Sequence, residues 1–176
     1  MRGRSIAAVL MAVLPAVLIA APPAAEAKIL RAPPKGEPAI SIDASDDWEP
    51  KVEDDNIALT AKAGHAYVHV GTEVNPTIGQ MSLSAIAANV FTAADLPPYV
   101  LTLPTTIAGY PGAAFLSVVP PTDTTGTVTI VVILAKLDAS HLLALIRATS
   151  EGITPDQVAL VEKLSNTLKV SGFRKR

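Results

Sequence analysis

The chain has no cysteine among its 176 residues. No disulfide can staple it, no thiolate can serve as nucleophile or metal ligand, and no N-terminal cysteine can carry a lipid. It also lacks a basic surplus: the formal charge is −2, which excludes the positive footprint that nucleic-acid binding needs. Catalytic signatures are missing as well. No Gly-x-Ser-x-Gly, Ser-x-x-Lys, His-Glu-x-x-His, Walker loop or Gly-x-Gly-x-x-Gly occurs in the sequence.

Long apolar runs are confined to the start. Arg2 and Arg4 precede a run from Ile6 to Ala21 broken only by Pro15, and Ala25 and Ala27 flank Glu26 further on. This is the plan of a secretory signal peptide over residues 1–27. The run of 16 residues is shorter than a span of about 20. The alternative is an uncleaved N-terminal anchor. Cleavage removes Arg2, Arg4 and Glu26, so the formal charge moves from −2 to −3. The Ala-rich, cysteine-free composition fits a periplasmic or secreted bacterial protein whose core packing alone must hold it together.

Residues 28–39, with three prolines and one glycine, read as a flexible leader. A single domain is expected over residues 40–172, followed by a basic tail at 173–176. Within it, Ile40 and Ile42 alternate, as do Ile57, Leu59 and Ala61, and then Ala66, Val68 and Val70. Period-two alternation predicts strands. Ala63-Gly64 predicts a hairpin connection and Tyr110-Pro111 a second turn. Leu83, Ile86, Ala87, Val90 and Phe91 form a helical stripe, starting near Asn75-Pro76-Thr77 or at Ser82. The β-branched run Thr127–Leu137 predicts a central strand. His141–Ser150 reads as its hairpin partner, with a helix as the alternative. The clearest local signal is the last helix: Thr154 at the N-cap, Pro155 at N1 and Gln157 at N3 make a capping box. In all, about six to seven mostly antiparallel strands and two covering helices give an α+β layered domain.

Three features resemble the Mog1/PsbP-like family. Ile40–Glu49 looks like its opening strand, running into an acidic turn and a Trp. Thr106–Val119 looks like its strand–Gly–strand unit, and the hairpin Thr127–Ser150 followed by Ile153–Gly172 looks like its ending. Pro50 follows Trp48, where the family often has Pro before the Trp. The resemblance covers nearly all of the mature chain. It implies an antiparallel sheet between helices, an α/β/α sandwich, and members that mostly bind a partner rather than catalyse.

Candidate chemistry is sparse. His65 and His69 stand four apart, a chelating pair on a helix but about 13 Å apart on a strand. On that strand His65, Tyr67 and His69 share one face, and His141 must come from elsewhere. Seven carboxylates between Asp43 and Asp55 make a solvated acidic turn, a weak divalent-ion site or a docking patch. Trp48 fits the core edge; Tyr67, Tyr99 and Tyr110 fit sheet packing or a pocket lining. Arg147, alone in an apolar strand, points either to solvent or into a polar cleft between sheet and helix. No residue is assigned as catalytic, cofactor-binding or metal-binding. The expected function is an exported, non-enzymatic binding or interaction module without a cofactor. Its expected partner is an envelope protein or small ligand, not nucleic acid, and the mature chain has no expected membrane span. The alternatives are a divalent-metal accessory protein, or an enzyme with a site scattered along the sequence.

Overall fold

A computed structural model describes residues 27–123 and 126–173. Residues 1–26 of the expected signal peptide (1–27) and the last three residues of the expected basic tail (173–176) lie outside them. The elements in chain order are β1 (Lys28–Ala32), β2 (Ala39–Ala44), β3 (Trp48–Val52), β4 (Asn56–Ala61), β5 (Ala66–Val74), α1 (Leu83–Ala93), β6 (Leu101–Ile107), β7 (Tyr110–Val119), β8 (Val128–Lys136), β9 (His141–Ser150), α2 (Pro155–Asn166) and β10 (Lys169–Ser171). Seven strands form one sheet in the order β3-β4-β5-β9-β8-β7-β6, and a small sheet has the order β1-β2-β10. All pairings among them are antiparallel.

The flexible-leader reading of residues 28–39 is corrected. Lys28–Ala32 is a strand paired with Ile40–Ala44, and Leu30 and Ala32 are buried. Ordered structure therefore begins well before Ile40. His141–Ser150 is a strand, paired with both β8 and β5. The β6–β7 turn is Ala108-Gly109, one position pair earlier than Tyr110-Pro111. Both turn residues have positive φ (51° and 82°), which the right-handed twist of a two-residue hairpin demands.

Alternation splits the large sheet into two faces. On one, α1 packs Ile86, Ala87 and Phe91 against Phe115, Val132, Leu134 and Leu142. Helix α1 starts at Ser82, whose hydroxyl accepts from the Ala85 N–H at 3.1 Å. On the other face, Val161, Leu164 and Leu168 join Ile40 and Ile42 of the small sheet. They cover Ile57, Leu59, Val68, Val70, Leu143 and Leu145. Each such side chain contributes about 1.5–3 kcal/mol on leaving water. Stability rests on these two apolar layers, since no disulfide is available.

Candidate functional site

The site follows from what α2 covers and what it leaves open. Its start is fixed by the capping box: the Thr154 N–H donates to Gln157 Oε1 at 2.9 Å, and Thr154 Oγ1 accepts from the Gln157 N–H at 3.3 Å. Gln157 Nε2 also donates to the Gly64 carbonyl at 3.3 Å, tying this end to the β4–β5 turn. At the other end the Asp43 N–H donates to Thr167 Oγ1 at 2.9 Å. Helix α2 thus runs from the β4–β5 turn to the neighbourhood of the β6–β7 turn. There Ser165, Asn166 and Leu168 face Thr105–Gly109 across a cavity of about 440 Å³.

Arg147 lines that cavity with Ile133 and Leu145. Strand alternation puts it there: 143, 145 and 147 share a face, and Leu143 and Leu145 are in the core under α2. Of the two alternatives left by the sequence, the cleft between sheet and helix is the one found. Arg147 stands directly across from Val68 on one side and Val131 on the other. Its Nε is buried with no hydrogen-bond partner. Burial pushes the guanidinium pKa down, and the charge of exposed Glu162 on α2 pushes it back up. No ion pair joins the two residues. An arginine side chain stays protonated in such a setting, so the cavity holds a positive charge with an unused donor. Thr105 and Asn166 also line it, as does Ser165, whose hydroxyl donates to the Val161 carbonyl at 2.7 Å.

The other candidates lie apart. His65 is not on the Tyr67–His69 face: it sits in the β4–β5 turn with φ 65°, and its Nδ1 meets Ser150 Oγ at 2.9 Å. Tyr67 and His69 do share a face, with ring centroids 6.5 Å apart. Burial lowers the His69 pKa, against the opposing charges of Glu53 and Asp55. His141 opens β9, with Nδ1 2.8 Å from the Asp138 carboxylate and its ring 5.0 Å from that of Phe173. The acidic stretch is not one turn. Asp43 lies in β2, Glu49 in β3, and only Asp46-Asp47 and Glu53–Asp55 occupy turns. Lys51 pairs with Glu53 at 2.7 Å. Among the described residues no three His, Asp or Glu side chains converge as a metal site. Trp48 is buried at the edge of the core, Tyr110 is buried, and Tyr99 packs on Phe91 and Phe115.

Comparison with known proteins rests on structure. No family model matches the chain. No curated protein matches it significantly. The fold is similar to the Ran-binding protein Mog1p of Saccharomyces cerevisiae, with TM-score 0.50 and 12% identity over 82% of this chain and 96% of that one. Two others are similar at lower scores. One is LpqN of Mycobacterium tuberculosis, involved in cell envelope biogenesis, with TM-score 0.46 and 11% identity over 81% of this chain and 91% of that one. The second is a protein of Bacteroides thetaiotaomicron, with TM-score 0.49 and 11% identity; the match covers 78% of the present chain but only 46% of that one. At these identities the likeness concerns architecture. The chain has the Mog1/PsbP-like fold, an α/β/α sandwich built on an antiparallel sheet.

Proposed function

We propose that this chain is an exported, non-enzymatic binding module of the bacterial envelope, and that the Arg147 cavity is where it takes its ligand. The ligand class is a compact anionic group, a carboxylate or phosphate carried by a small molecule or by an envelope partner. The observation that carries this reading is the buried, unpartnered Arg147 Nε in a polar-lined cavity. A guanidinium binds such groups through paired N–H donors, and each charge-assisted bond contributes about 1.5–3 kcal/mol. The signal-peptide plan of the sequence supports export. The missing catalytic signatures support binding over catalysis, and fold likeness alone assigns no activity.

The test is an NMR titration of the folded protein with butyrate and with inorganic phosphate, following the Arg147 side-chain Nε–Hε resonance. The expected result is a saturable shift for at least one anion; in Arg147→Gln, followed instead on the backbone amides of Thr105–Gly109 that line the cavity, the binding is lost or weakened by about tenfold or more. A resonance that stays put for both anions overturns the assignment of this cavity. The export reading is checked separately, by N-terminal sequencing of the protein recovered from the host envelope, with a new terminus expected after Ala27.

A further inference from the structure

Beside the Arg147 cavity, the same face of the sheet carries exposed apolar side chains that α2 leaves bare. Strand register lays this face out in rows. Arg147, Val131, Leu116 and Leu101 stand opposite one another across β9, β8, β7 and β6. Leu103 belongs to the neighbouring row on one side, with Ile133 of the cavity wall, and Val118 to the row on the other. None of the exposed members of these rows is covered by a helix: Leu101 is 45% exposed, Leu103 52% and Val118 41%. Val131 and Leu116 between them are only half-buried. An apolar strip thus leads from a half-buried cation to the sheet edge. Three strand spacings of about 4.8 Å make it roughly 14 Å long. Contiguous exposed apolar surface of this kind marks a binding surface more often than solvent-facing sheet.

Charge and apolarity together define the occupant. We propose that the anion held by Arg147 is the head of a single-chain amphiphile, whose acyl tail lies along Val131, Leu116, Leu101 and Leu103. This inference rests on the anion reading of the cavity and adds the chemistry of the rest of the ligand. A purely polar anion leaves the strip unused, and a neutral apolar chain leaves the guanidinium unpaired.

The experiment is isothermal titration calorimetry with the mature chain and three probes: butyrate, dodecanoate below its micelle concentration, and dodecanol. The expected result is dodecanoate bound one to one, roughly a hundredfold tighter than butyrate, because the added methylenes leave water on the strip. Leu103→Ser, at an exposed position on an edge strand, should weaken dodecanoate at least about fivefold more than butyrate. Arg147→Gln should weaken both acids. Equal affinities for butyrate and dodecanoate overturn the tail assignment and leave the anion reading standing. Dodecanol binding as tightly as dodecanoate overturns the pairing of head and strip. Binding of neither acid overturns both readings.

Discussion

Replacing Arg147 with methionine should make the ligand-free protein more stable. Methionine keeps an unbranched stem between Val68 and Val131 and removes the charge and the orphan donor. A buried donor without a partner costs about 1–3 kcal/mol. The attraction of Glu162, which is exposed and makes no ion pair with Arg147, is under about 1 kcal/mol. The balance favours methionine by about 1 kcal/mol, or a rise in Tm of about 3 °C for a domain of this length. The assay is thermal unfolding by circular dichroism in a buffer free of carboxylates and phosphate, because a bound anion would stabilise the wild type by mass action. Arg147→Ala serves as the control that also removes the stem, and should melt below Arg147→Met. An Arg147→Met protein melting more than a few degrees below wild type would refute the reasoning. It would mean that the guanidinium holds the fold together, rather than standing ready for a ligand at the expense of stability.

Three further outcomes follow from local geometry. Thr154→Ala removes the capping-box acceptor of α2 and should cost about 1 kcal/mol, read as a lower urea midpoint at unchanged m. Gly112→Ala places a Cβ 2.3 Å from the Leu134 carbonyl oxygen, a backbone atom that cannot swing aside, so strand β7 must shift. The expected loss is about 1–3 kcal/mol, against near-neutrality if β7 yields freely. Asp138 titrates low: burial raises its pKa, but the N–H of Ser140, the His141 imidazole and the His141 N–H outweigh it and bring it to about 2. Its folded pKa thus lies below the ordinary value of 3.8, so the stabilisation is present above about pH 4 and is lost as pH falls towards 2. With the carboxylate about a third exposed, solvent screening leaves roughly 1 kcal/mol of it. Unfolding free energies at pH 5 and pH 2.5 should differ by that much more in wild type than in Asp138→Asn.

The sequence disclosed what alternation and capping encode. Strands β4, β5 and β9 each place several inward side chains two apart, and Ile57, Leu59, Val68, Val70, Leu143 and Leu145 are all fully buried or nearly so. Helix α2 declared itself through Thr154, Pro155 and Gln157. The missed strands are short or have few buried members. β1 buries only Leu30 and Ala32 and leaves Ile29 70% exposed; β3 buries only Trp48; β10 has three residues. One or two inward residues make no period, and nearby prolines resemble linker. These strands exist because β2 and β4 offer them a hydrogen-bonding edge, a long-range fact that a local pattern does not carry. His65 was misplaced for a related reason: β5 starts one residue later, at Ala66, and a positive φ in the preceding turn takes His65 out of the alternation.

The same limit explains Arg147. Alternation along β9 puts it on the face of Leu143 and Leu145, yet alternation is blind to what lies over a face, so the sequence leaves solvent and cleft both open. Coverage was decided by α2, and α2 is pinned at both ends, by Gln157 on the Gly64 carbonyl and by Thr167 on Asp43. Those pins leave Arg147 half-buried beside the end of the helix, its Nε out of water and short of a partner. The consequence is preorganisation. The guanidinium is partly desolvated when the protein folds, so an incoming anion meets a charge whose dehydration is already partly complete and a cavity wall that need not be assembled. A penalty taken in folding is thereby returned in binding. Arg147→Met should consequently shift stability and affinity in opposite directions, a pairing that a merely structural arginine would not produce.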